Sequence, residues 1–332
     1  MSRPLVLFTD QTDLDPAPGR ALLEAAGCDT VLAALPSRAG ERQDLPAGAE
    51  AAVALVVGYA RIDAALLDRL PNVACIATMS AGFDMIDRAA AEARGIWIVN
   101  LTDAATEEVA AHALTLALAS ERELRGSLAV TAAGGWTENV TAVPRRLSTL
   151  TLGLFGFGRI AQRLAQIAAP VFGRVIAHDP FVTAPAHGVE LVDRDTLLAE
   201  SDLLSLHLPL TPETAGTIDA AAFAAMRAGA TLINVSRGEL VDPDALRAAL
   251  DDGALRGAGL DVLLGEPPAA DDPYRGDPRV LVTPHVAFLS AGSLEHYTLD
   301  PARNVLAWLR AGRLERAAVR GAERAPLLPV SR

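Results

Sequence analysis

The chain has 332 residues, of which 51% are hydrophobic and 4% aromatic, and its formal net charge is −12. This length exceeds what one core usually supports and predicts two domains. No run of Lys or Arg could follow a phosphate backbone, so nucleic acid is not an expected ligand. No apolar stretch could span a bilayer and no signal-peptide core is present, so we expect a soluble, cytoplasmic protein without a membrane partner. Cys28 and Cys75 lie in apolar surroundings without metal-binding spacing, so we expect no metal.

Short apolar runs alternate with Ala- and Leu-rich stretches of helical period, which is typical of parallel sheets flanked by helices. The first series of runs is Leu5–Thr9, Thr30–Ala33, Ala52–Val57, Val73–Thr78 and Trp97–Val99. The second series is Leu150–Phe155, Val175–His178, Leu203–Leu206, Ala230–Val235, Gly257–Leu260 and Val280–Thr283. We therefore predict an α/β fold with two parallel-sheet domains, the second with the six strands of a dinucleotide-binding domain.

Two helical segments connect the predicted domains. Ala104–Arg125 is predicted to be one long helix, and Ala291–Ala311 a helix that returns to the first domain after the sixth strand. The smaller domain is then discontinuous, residues 1–100 with 289–332, and the larger domain comprises residues 101–288. Residues 321–332 have no periodic pattern and are expected to be a loosely held terminus.

A glycine motif follows the first strand of the second series. Gly156, Gly158 and Ala161 form G-x-G-x-x-A between that strand and a helical stretch. Gly156 would allow a tight turn, Gly158 would let the backbone approach a pyrophosphate, and Ala161 would permit close helix packing. The diphosphate would lie on the helix N-terminus, where N–H groups and the helix dipole favour negative charge. An ordinary strand-to-helix turn is the alternative interpretation.

An acidic residue follows the next strand at the spacing expected for ribose binding. Asp179 lies 21 residues beyond Gly158, where a carboxylate can accept the adenosine ribose hydroxyls. A 2′-phosphate would meet a like charge there, so the motif predicts NAD as the cofactor. A simple capping role is the alternative for Asp179. About 150 residues precede the glycine motif, which disfavours the class of the L-lactate and malate enzymes.

Polar residues stand where three strands of the second series end. They include Arg237, Asp261 and His285, and Glu266 follows Asp261 by one short loop. The carboxyl ends of parallel strands meet at one edge of a sheet, so these side chains should converge. Reduction of a 2-keto acid needs a cation for the carboxylate and carbonyl and an acid for the developing alkoxide. Arg237 and His285 could supply these groups, and Glu266 could orient the imidazole and stabilise its protonated form.

These motifs resemble those of the D-isomer-specific 2-hydroxyacid dehydrogenase family. The resemblance covers nearly the whole chain. It rests on four stretches: residues 234–242 around Arg237, residues 283–288 around His285, residues 79–84 in the first domain, and residues 206–214 in the second.

The resemblance implies a role for each matching residue. Arg237 would bind substrate, His285 would be the acid and base, Glu266 its partner, and Asp261 a contact of the nicotinamide carboxamide. The turn Ser80, Ala81 and Gly82 would receive the substrate carboxylate. The remaining cofactor contacts would be Gly156, Gly158, Arg159, Ile160, Asp179, His207, Pro209, Thr214, Val235, Ser236 and His285. The family also implies a Rossmann NAD-binding domain and a flavodoxin-like substrate domain. The substrate domain would close over the substrate with hinges near Asn100 and Phe288. A homodimer would form across the NAD-binding domains.

The substrate and two alternative functions stay open. Glyoxylate, hydroxypyruvate and 3-phosphoglycerate present the same carboxylate and carbonyl. Phe83 and Phe288 would suit a small or apolar group, whereas Arg145 and Arg146 are candidates to reach the cleft and bind a phosphate. Phe288, Leu289 and Ser290 resemble a subgroup that includes dinucleotide-sensing corepressors, which act through partners. A phosphite or formate dehydrogenase is a further alternative, although formate dehydrogenases carry Gln where this chain has Glu266. One departure from the family is Ala111, where an acidic residue is usual.

Overall fold

The computed structural model describes residues 3–10, 14–38, 40–140 and 142–329. The chain divides into two compact units, Met1–Ala104 with Ser290–Arg332, and Ala105–Leu289. Each unit contains one parallel sheet, which confirms the predicted α/β fold with two parallel-sheet domains. None of the helices in the described ranges is long and apolar enough to cross a membrane.

The first unit is built on a five-stranded sheet. Its strands are β1 (Leu5–Phe8), β2 (Asp29–Leu32), β3 (Ala52–Val57), β4 (Cys75–Thr78) and β5 (Trp97–Val99), and its first helices are α1 (Ala17–Ala25), α2 (Ala64–Asp68) and α3 (Arg88–Ala93). The strands are parallel in the order β2-β1-β3-β4-β5. This is the flavodoxin-like order, in which ligands bind outside the carboxyl ends of the strands.

The second unit is built on a seven-stranded sheet. Its helices are α4 (Thr106–Glu121), α5 (Leu124–Ala132), α6 (Arg159–Ala168), α7 (Arg194–Glu200), α8 (Ala220–Ala225) and α9 (Pro243–Asp251). Its strands are β6 (Thr151–Phe155), β7 (Arg174–His178), β8 (Glu190–Leu191), β9 (Leu203–Leu206), β10 (Ala230–Asn234), β11 (Leu255–Leu260) and β12 (Val280–Val282). The order is β12-β11-β10-β9-β6-β7-β8, and every neighbouring pair is parallel.

This order contains the 3-2-1-4-5-6 arrangement of a dinucleotide-binding sheet, with β12 added at one edge. The predicted count of six strands is wrong by one. The missed strand is β8, which has two residues and is too short to produce an alternating pattern in the sequence. The strand order reverses between β6 and β9, and this reversal is the switch point at which such sheets bind their ligand.

The predicted single helix Ala104–Arg125 is also wrong, because it is two helices. α4 ends at Glu121, Glu123 takes a left-handed backbone conformation with φ of 53°, and α5 begins at Leu124. The carboxylate of Glu123 pairs with Arg256, which lies in β11. A sequence pattern of helical period continues through this point without Gly or Pro, so only the tertiary contact marks the break.

The chain returns to the first unit through α10 (Ala291–Ala311), which has the predicted bounds. The segment after α10 is held more firmly than expected. Val319 bridges Ile98 of β5, the indole N–H of Trp97 donates to the carbonyl of Ala322 at 2.9 Å, and Leu327 N–H donates to Leu309. The expectation of a loose terminus is therefore wrong up to residue 329, and residues 330–332 lie outside the described part.

Candidate active site

The glycine loop, residues Gly156–Gly158, joins β6 to α6 at the switch point of the seven-stranded sheet. Gly156 has φ of 87°, and a Cβ there would lie 2.6 Å from the carbonyl oxygen of His207, so this position requires glycine. A Cβ at Gly158 would meet no atom within 4 Å. The backbone at Gly158 therefore borders open space beside the N-terminus of α6, which begins at Arg159. This geometry suits the close approach of a pyrophosphate.

Asp179 directly follows β7, beside the glycine loop. One carboxylate oxygen accepts the N–H of Phe157 at 2.9 Å, and the other accepts the N–H of Phe181 at 2.9 Å. A carboxylate offers about four acceptor sites, so two backbone contacts orient Asp179 without exhausting it. The contact with Phe157 ties the side chain to the loop. The predicted role in binding the ribose hydroxyls stays a prediction.

The loop after β9 carries the residues assigned to the adenosine half of the cofactor. The hydroxyl of Thr214 donates to the carbonyl of Pro209 at 2.6 Å and accepts the N–H of Thr211 at 2.8 Å, so the loop is closed on itself. The Nε2 atom of His207 lies 2.9 Å from the hydroxyl of Ser205. Burial lowers the pKa of His207 from 6.5 to about 4, because the charged imidazole would lose its hydration. His207 is therefore neutral near pH 7.

Arg237 follows β10 at the carboxyl edge, the edge at which the strands of the seven-stranded sheet end. The buried amide of Asn234 donates to the carbonyl of Arg237 at 2.8 Å and accepts the N–H of Ser236 at 3.0 Å. The Ser236 hydroxyl donates to the carbonyl of Leu206, and Val235 is buried beside it. These contacts fix the backbone that carries the guanidinium.

Gly238 explains how the segment of Arg237 meets the loop of Glu266. A Cβ on Gly238 would lie 2.2 Å from the carbonyl carbon of Leu263, so no side chain fits there. The two backbones therefore pack directly on each other. The positive charge of Arg237 helps to lower the pKa of Glu266, which indicates that the two groups share one electrostatic environment.

The imidazole of His285 and the carboxylate of Glu266 form a hydrogen-bonded pair. The Nδ1 atom lies 2.6 Å from one carboxylate oxygen, and the other oxygen accepts the N–H of Leu263 at 2.8 Å. Burial alone would raise the pKa of Glu266, but the hydrogen bond and charge of His285 outweigh it, so the pKa lies below its ordinary value. The side chains are 29% and 32% exposed, so the pair is accessible to a small molecule.

Asp261 is buried and holds the loop of His285, Thr283–Ala287, which we call the catalytic loop. One carboxylate oxygen accepts the Thr283 hydroxyl at 2.6 Å and the N–H of Val286 at 3.0 Å, and the other accepts the N–H of Ala287 at 2.9 Å. The backbone carbonyl of Asp261 accepts the N–H of His285 at 2.8 Å. The predicted contact between Asp261 and a nicotinamide carboxamide stays a prediction, whereas the observed contacts make it the anchor of this loop.

None of the sequence motifs includes His112, which lies against Asp261 and Thr283. Its Nε2 atom is 2.9 Å from the Thr283 hydroxyl oxygen and 3.5 Å from an Asp261 carboxylate oxygen. The signal available in the sequence was a single imidazole within the Ala-rich, core-facing pattern of α4. That pattern does not identify the partners of His112, which directly follow β12 and β11.

The predicted carboxylate-binding turn lies in the first unit, after β4. The Ser80 hydroxyl donates to the carbonyl of Gly82 at 2.6 Å, and the Asn100 amide donates to the carbonyl of Ala81 at 2.6 Å. The carbonyl of Ser80 accepts the N–H of Leu101. The turn is therefore held by donors of its own unit, and its role in binding substrate stays a prediction.

Arg145 lies at the opposite, amino edge of the seven-stranded sheet. Its guanidinium donates two hydrogen bonds to Glu121, at 2.7 and 2.6 Å, and Thr231 at the start of β10 donates to the same carboxylate at 2.6 Å. Glu121 is 0% exposed. Burial disfavours the charged guanidinium, but the Glu121 carboxylate outweighs it, so the pKa of Arg145 lies above its ordinary value. The expectation that Arg145 reaches the catalytic cleft is therefore wrong.

Fold and site together define an α/β protein whose dinucleotide-binding sheet carries an imidazole–carboxylate pair and an arginine at its ligand-binding edge. The family model described as D-isomer specific 2-hydroxyacid dehydrogenase, NAD binding domain, matches residues 114–287. That range covers more than half of the chain. The chain therefore belongs to the D-isomer-specific 2-hydroxyacid dehydrogenase family.

Curated proteins and solved structures show the same relationship. D-3-phosphoglycerate dehydrogenase of Mycobacterium tuberculosis is 35% identical over 92% of this chain, which spans only 57% of that relative's length. Glycerate dehydrogenase of Methylorubrum extorquens is 37% identical over 69% of this chain and 74% of that protein. Among solved structures, the chain is similar to an NADPH-dependent glyoxylate/hydroxypyruvate reductase from Sinorhizobium meliloti in complex with NADP and malonate. The TM-score is 0.85 and the sequence identity is 28%, and the match covers 98% of this chain and 100% of the reductase chain.

Proposed function

We propose that this chain is a dehydrogenase that transfers a hydride between NAD(H) and the carbonyl carbon of a small D-2-hydroxy or 2-keto acid. The observation that carries the proposal is the hydrogen-bonded pair of His285 and Glu266, with Arg237 beside it, at the sheet edge that also presents the glycine loop. An acid, a cation and a dinucleotide site at one edge are the groups that this reaction requires.

Each residue has a distinct task in the proposed reaction. Bound NADH supplies the hydride. The Arg237 guanidinium holds the substrate carboxylate and polarises the carbonyl, because its planar fork matches two oxygens at once. His285 donates a proton to the alkoxide through Nε2, since Nδ1 donates to Glu266. The Glu266 carboxylate fixes the ring orientation and stabilises the imidazolium before the proton leaves. In the oxidative direction His285 takes the same proton back.

The substrates we propose are short acids with an uncharged tail, of the glyoxylate or hydroxypyruvate type, rather than 3-phosphoglycerate. Arg145, one of the two cations considered for a phosphate, is instead bound to Glu121 at the amino edge. Arg146 directly precedes the turn Leu147–Thr149 that enters β6 at that same edge. Neither guanidinium therefore supports binding of a phosphate beside Arg237.

NAD is the proposed cofactor in preference to NADP. The Asp179 carboxylate lies at the end of β7, bound to the glycine loop through Phe157, where it would repel a 2′-phosphate. The Sinorhizobium relative is described as NADPH-dependent, so cofactor choice varies among similar chains and must be measured.

The experiment is NADH oxidation by the purified chain against glyoxylate, hydroxypyruvate, 3-phosphohydroxypyruvate, pyruvate and phenylpyruvate, with NADPH in parallel. Turnover of the uncharged acids with NADH supports the proposal, and a strong preference for the phosphorylated acid contradicts the substrate assignment. Tight NADH binding without turnover of any acid would overturn the enzyme proposal in favour of a dinucleotide-sensing role.

We also propose a homodimer formed through the second unit. Large apolar side chains are exposed on α5 and on the segment after it: Leu124, Leu128, Trp136, Val140 and Val143. Trp136 is 69% exposed and Val143 80%, which is costly in water unless another surface covers them. Light scattering should give twice the chain mass for the wild type and the mass of one chain for Leu128→Glu. A wild-type monomer would contradict the dimer.

A further inference from the structure

A line of hydrogen bonds runs from α4 to the backbone of the catalytic loop. The Nε2 atom of His112 contacts the Thr283 hydroxyl at 2.9 Å, and that hydroxyl donates to the Asp261 carboxylate at 2.6 Å. The same carboxylate accepts the N–H groups of Val286 and Ala287. His112 of α4 therefore meets the residues that directly follow β11 and β12, at the start of the segment that carries His285.

The direction of each hydrogen bond follows from counting protons. A hydroxyl has one proton to give, and Thr283 gives it to Asp261, so Thr283 must accept at its contact with His112. Nε2 of His112 therefore carries a proton and donates. Through this contact His112 orients the hydroxyl toward the carboxylate, and without it the hydroxyl could rotate away and leave Asp261 with one donor fewer.

The loop held in this way has an unfavourable backbone conformation. His285 has φ of 54°, in the left-handed region that residues with a side chain seldom adopt. Such conformations persist only where surrounding contacts fix them. The contacts that do so here converge on Asp261, which binds four residues of the loop through its carboxylate and its backbone carbonyl.

We propose that His112 is a positioning residue that acts through Thr283 and Asp261 to hold the His285 imidazole in its reactive orientation. His112 does not touch the reacting atoms. The inference rests on the proposed function, in which His285 is the acid. It assigns a task to a side chain of the connecting helix that neither the sequence motifs nor the chemistry of the reaction requires.

Two pairs of variants in the full-length chain test this proposal. His112→Leu removes the donor, and His112→Gln retains an N–H at about the reach of Nε2. Thr283→Val removes the hydroxyl at nearly constant volume, and Thr283→Ser retains it. We expect His112→Leu and Thr283→Val to lower kcat by about tenfold, the loss of roughly one hydrogen bond. KM and the Kd for NADH should stay within about twofold, and His112→Gln and Thr283→Ser should recover most of the rate.

A spectroscopic measurement separates this proposal from the proposed function. Selective ¹⁵N labelling of the six histidines allows the ring nitrogens of His285 to be followed directly. We expect His112→Leu to shift or broaden the Nδ1 signal of His285, which reports its hydrogen bond to Glu266, and His112→Gln to restore it. A shift without turnover by the wild type would reject the enzyme proposal and retain the positioning role.

Three results would overturn the inference. One is an unchanged His285 signal and kcat in His112→Leu. A second is equal loss of rate in the Gln and Leu variants, because then the donor is not what matters. The third is a change in Kd for NADH as large as the change in kcat, which would mean that His112 supports the fold of the cofactor site as a whole.

Discussion

The two edges of the seven-stranded sheet carry the same kinds of charged group in different states. At the amino edge, Glu121 is fully buried and its carboxylate is bound by Arg145 and Thr231. At the carboxyl edge, Glu266 is about one-third exposed, and its partner His285 is held in a left-handed conformation. The Glu121 carboxylate is enclosed and accepts three hydrogen bonds, whereas the pair of Glu266 and His285 is open to a ligand.

The difference shows how one pairing of charges can serve stability or chemistry. A buried carboxylate that is bound by a cation cannot exchange partners without a large desolvation cost, so it fixes structure. An imidazole–carboxylate pair at an open edge keeps one face for a substrate and a proton that can move. Variants at the two edges should therefore separate loss of activity from loss of stability.

The largest effect is expected for His285→Asn, which removes the proposed acid but tolerates the left-handed backbone. The kcat should fall by about 10³-fold, within the range of general acid catalysis, with NADH binding retained. His187→Asn is the matched control, since His187 is an exposed histidine with φ of 57°. Loss of NADH binding in a folded His285→Asn variant would contradict the role of His285.

Arg145→Leu tests the amino edge, because it leaves the Glu121 carboxylate buried without its cation. The free energy of unfolding should fall by about 3–5 kcal/mol, measured by urea denaturation. At urea concentrations below the unfolding transition, the kcat/KM of Arg145→Leu should match that of the wild type. Arg146→Leu is the control, because it changes the exposed neighbour and should leave stability almost unchanged. A reduced kcat/KM in folded Arg145→Leu would mean that the two edges are coupled.

Arg237→Lys tests the role of the guanidinium at the carboxyl edge, because lysine keeps the positive charge but lacks the planar fork. An ammonium cannot bind two oxygens in parallel, so kcat/KM should fall by about 10- to 100-fold through both a higher KM and a lower kcat. Arg227→Lys, an exposed arginine before β10, is the control. Unchanged steady-state kinetics would remove Arg237 from the site.

The smallest effect concerns His207, which follows β9 at the carboxyl edge and is half-buried and neutral. Its folded-state pKa of about 4 lies below the ordinary 6.5, so between these values the unfolded chain binds the extra proton. Stability from this group is complete above pH 6.5 and decreases as the pH falls toward 4. Between pH 7 and pH 5, the free energy of unfolding of His207→Gln should therefore fall by roughly 2 kcal/mol less than that of the wild type in urea titrations. An equal change in the free energy of unfolding of the two proteins between pH 7 and pH 5 would contradict the lowered pKa of His207.

Much of this fold could be predicted from local patterns. The apolar runs identified eleven of the twelve strands found in the described ranges, and α10 has the predicted bounds. Local patterns did not predict features that depend on long-range contacts. Examples are the two-residue strand β8 and the break between α4 and α5 at Glu123. The segment after α10 lacks a periodic pattern, yet its Ala322 N–H donates to the carbonyl of Gly95, which lies far away in sequence.

The sequence by itself determined the two α/β units, the glycine loop and the residues that stand at the carboxyl ends of the strands. Those features depend on hydrophobic periodicity and on residues close together in the chain, so short segments of sequence are enough to predict them. Only the tertiary structure decided that Arg145 faces Glu121 and not the catalytic cleft, and that His112 contacts Thr283 in the loop of His285. Which charges meet depends on how helices pack against the sheet, and side-chain partners more than 20 residues apart leave no periodic signal in one sequence.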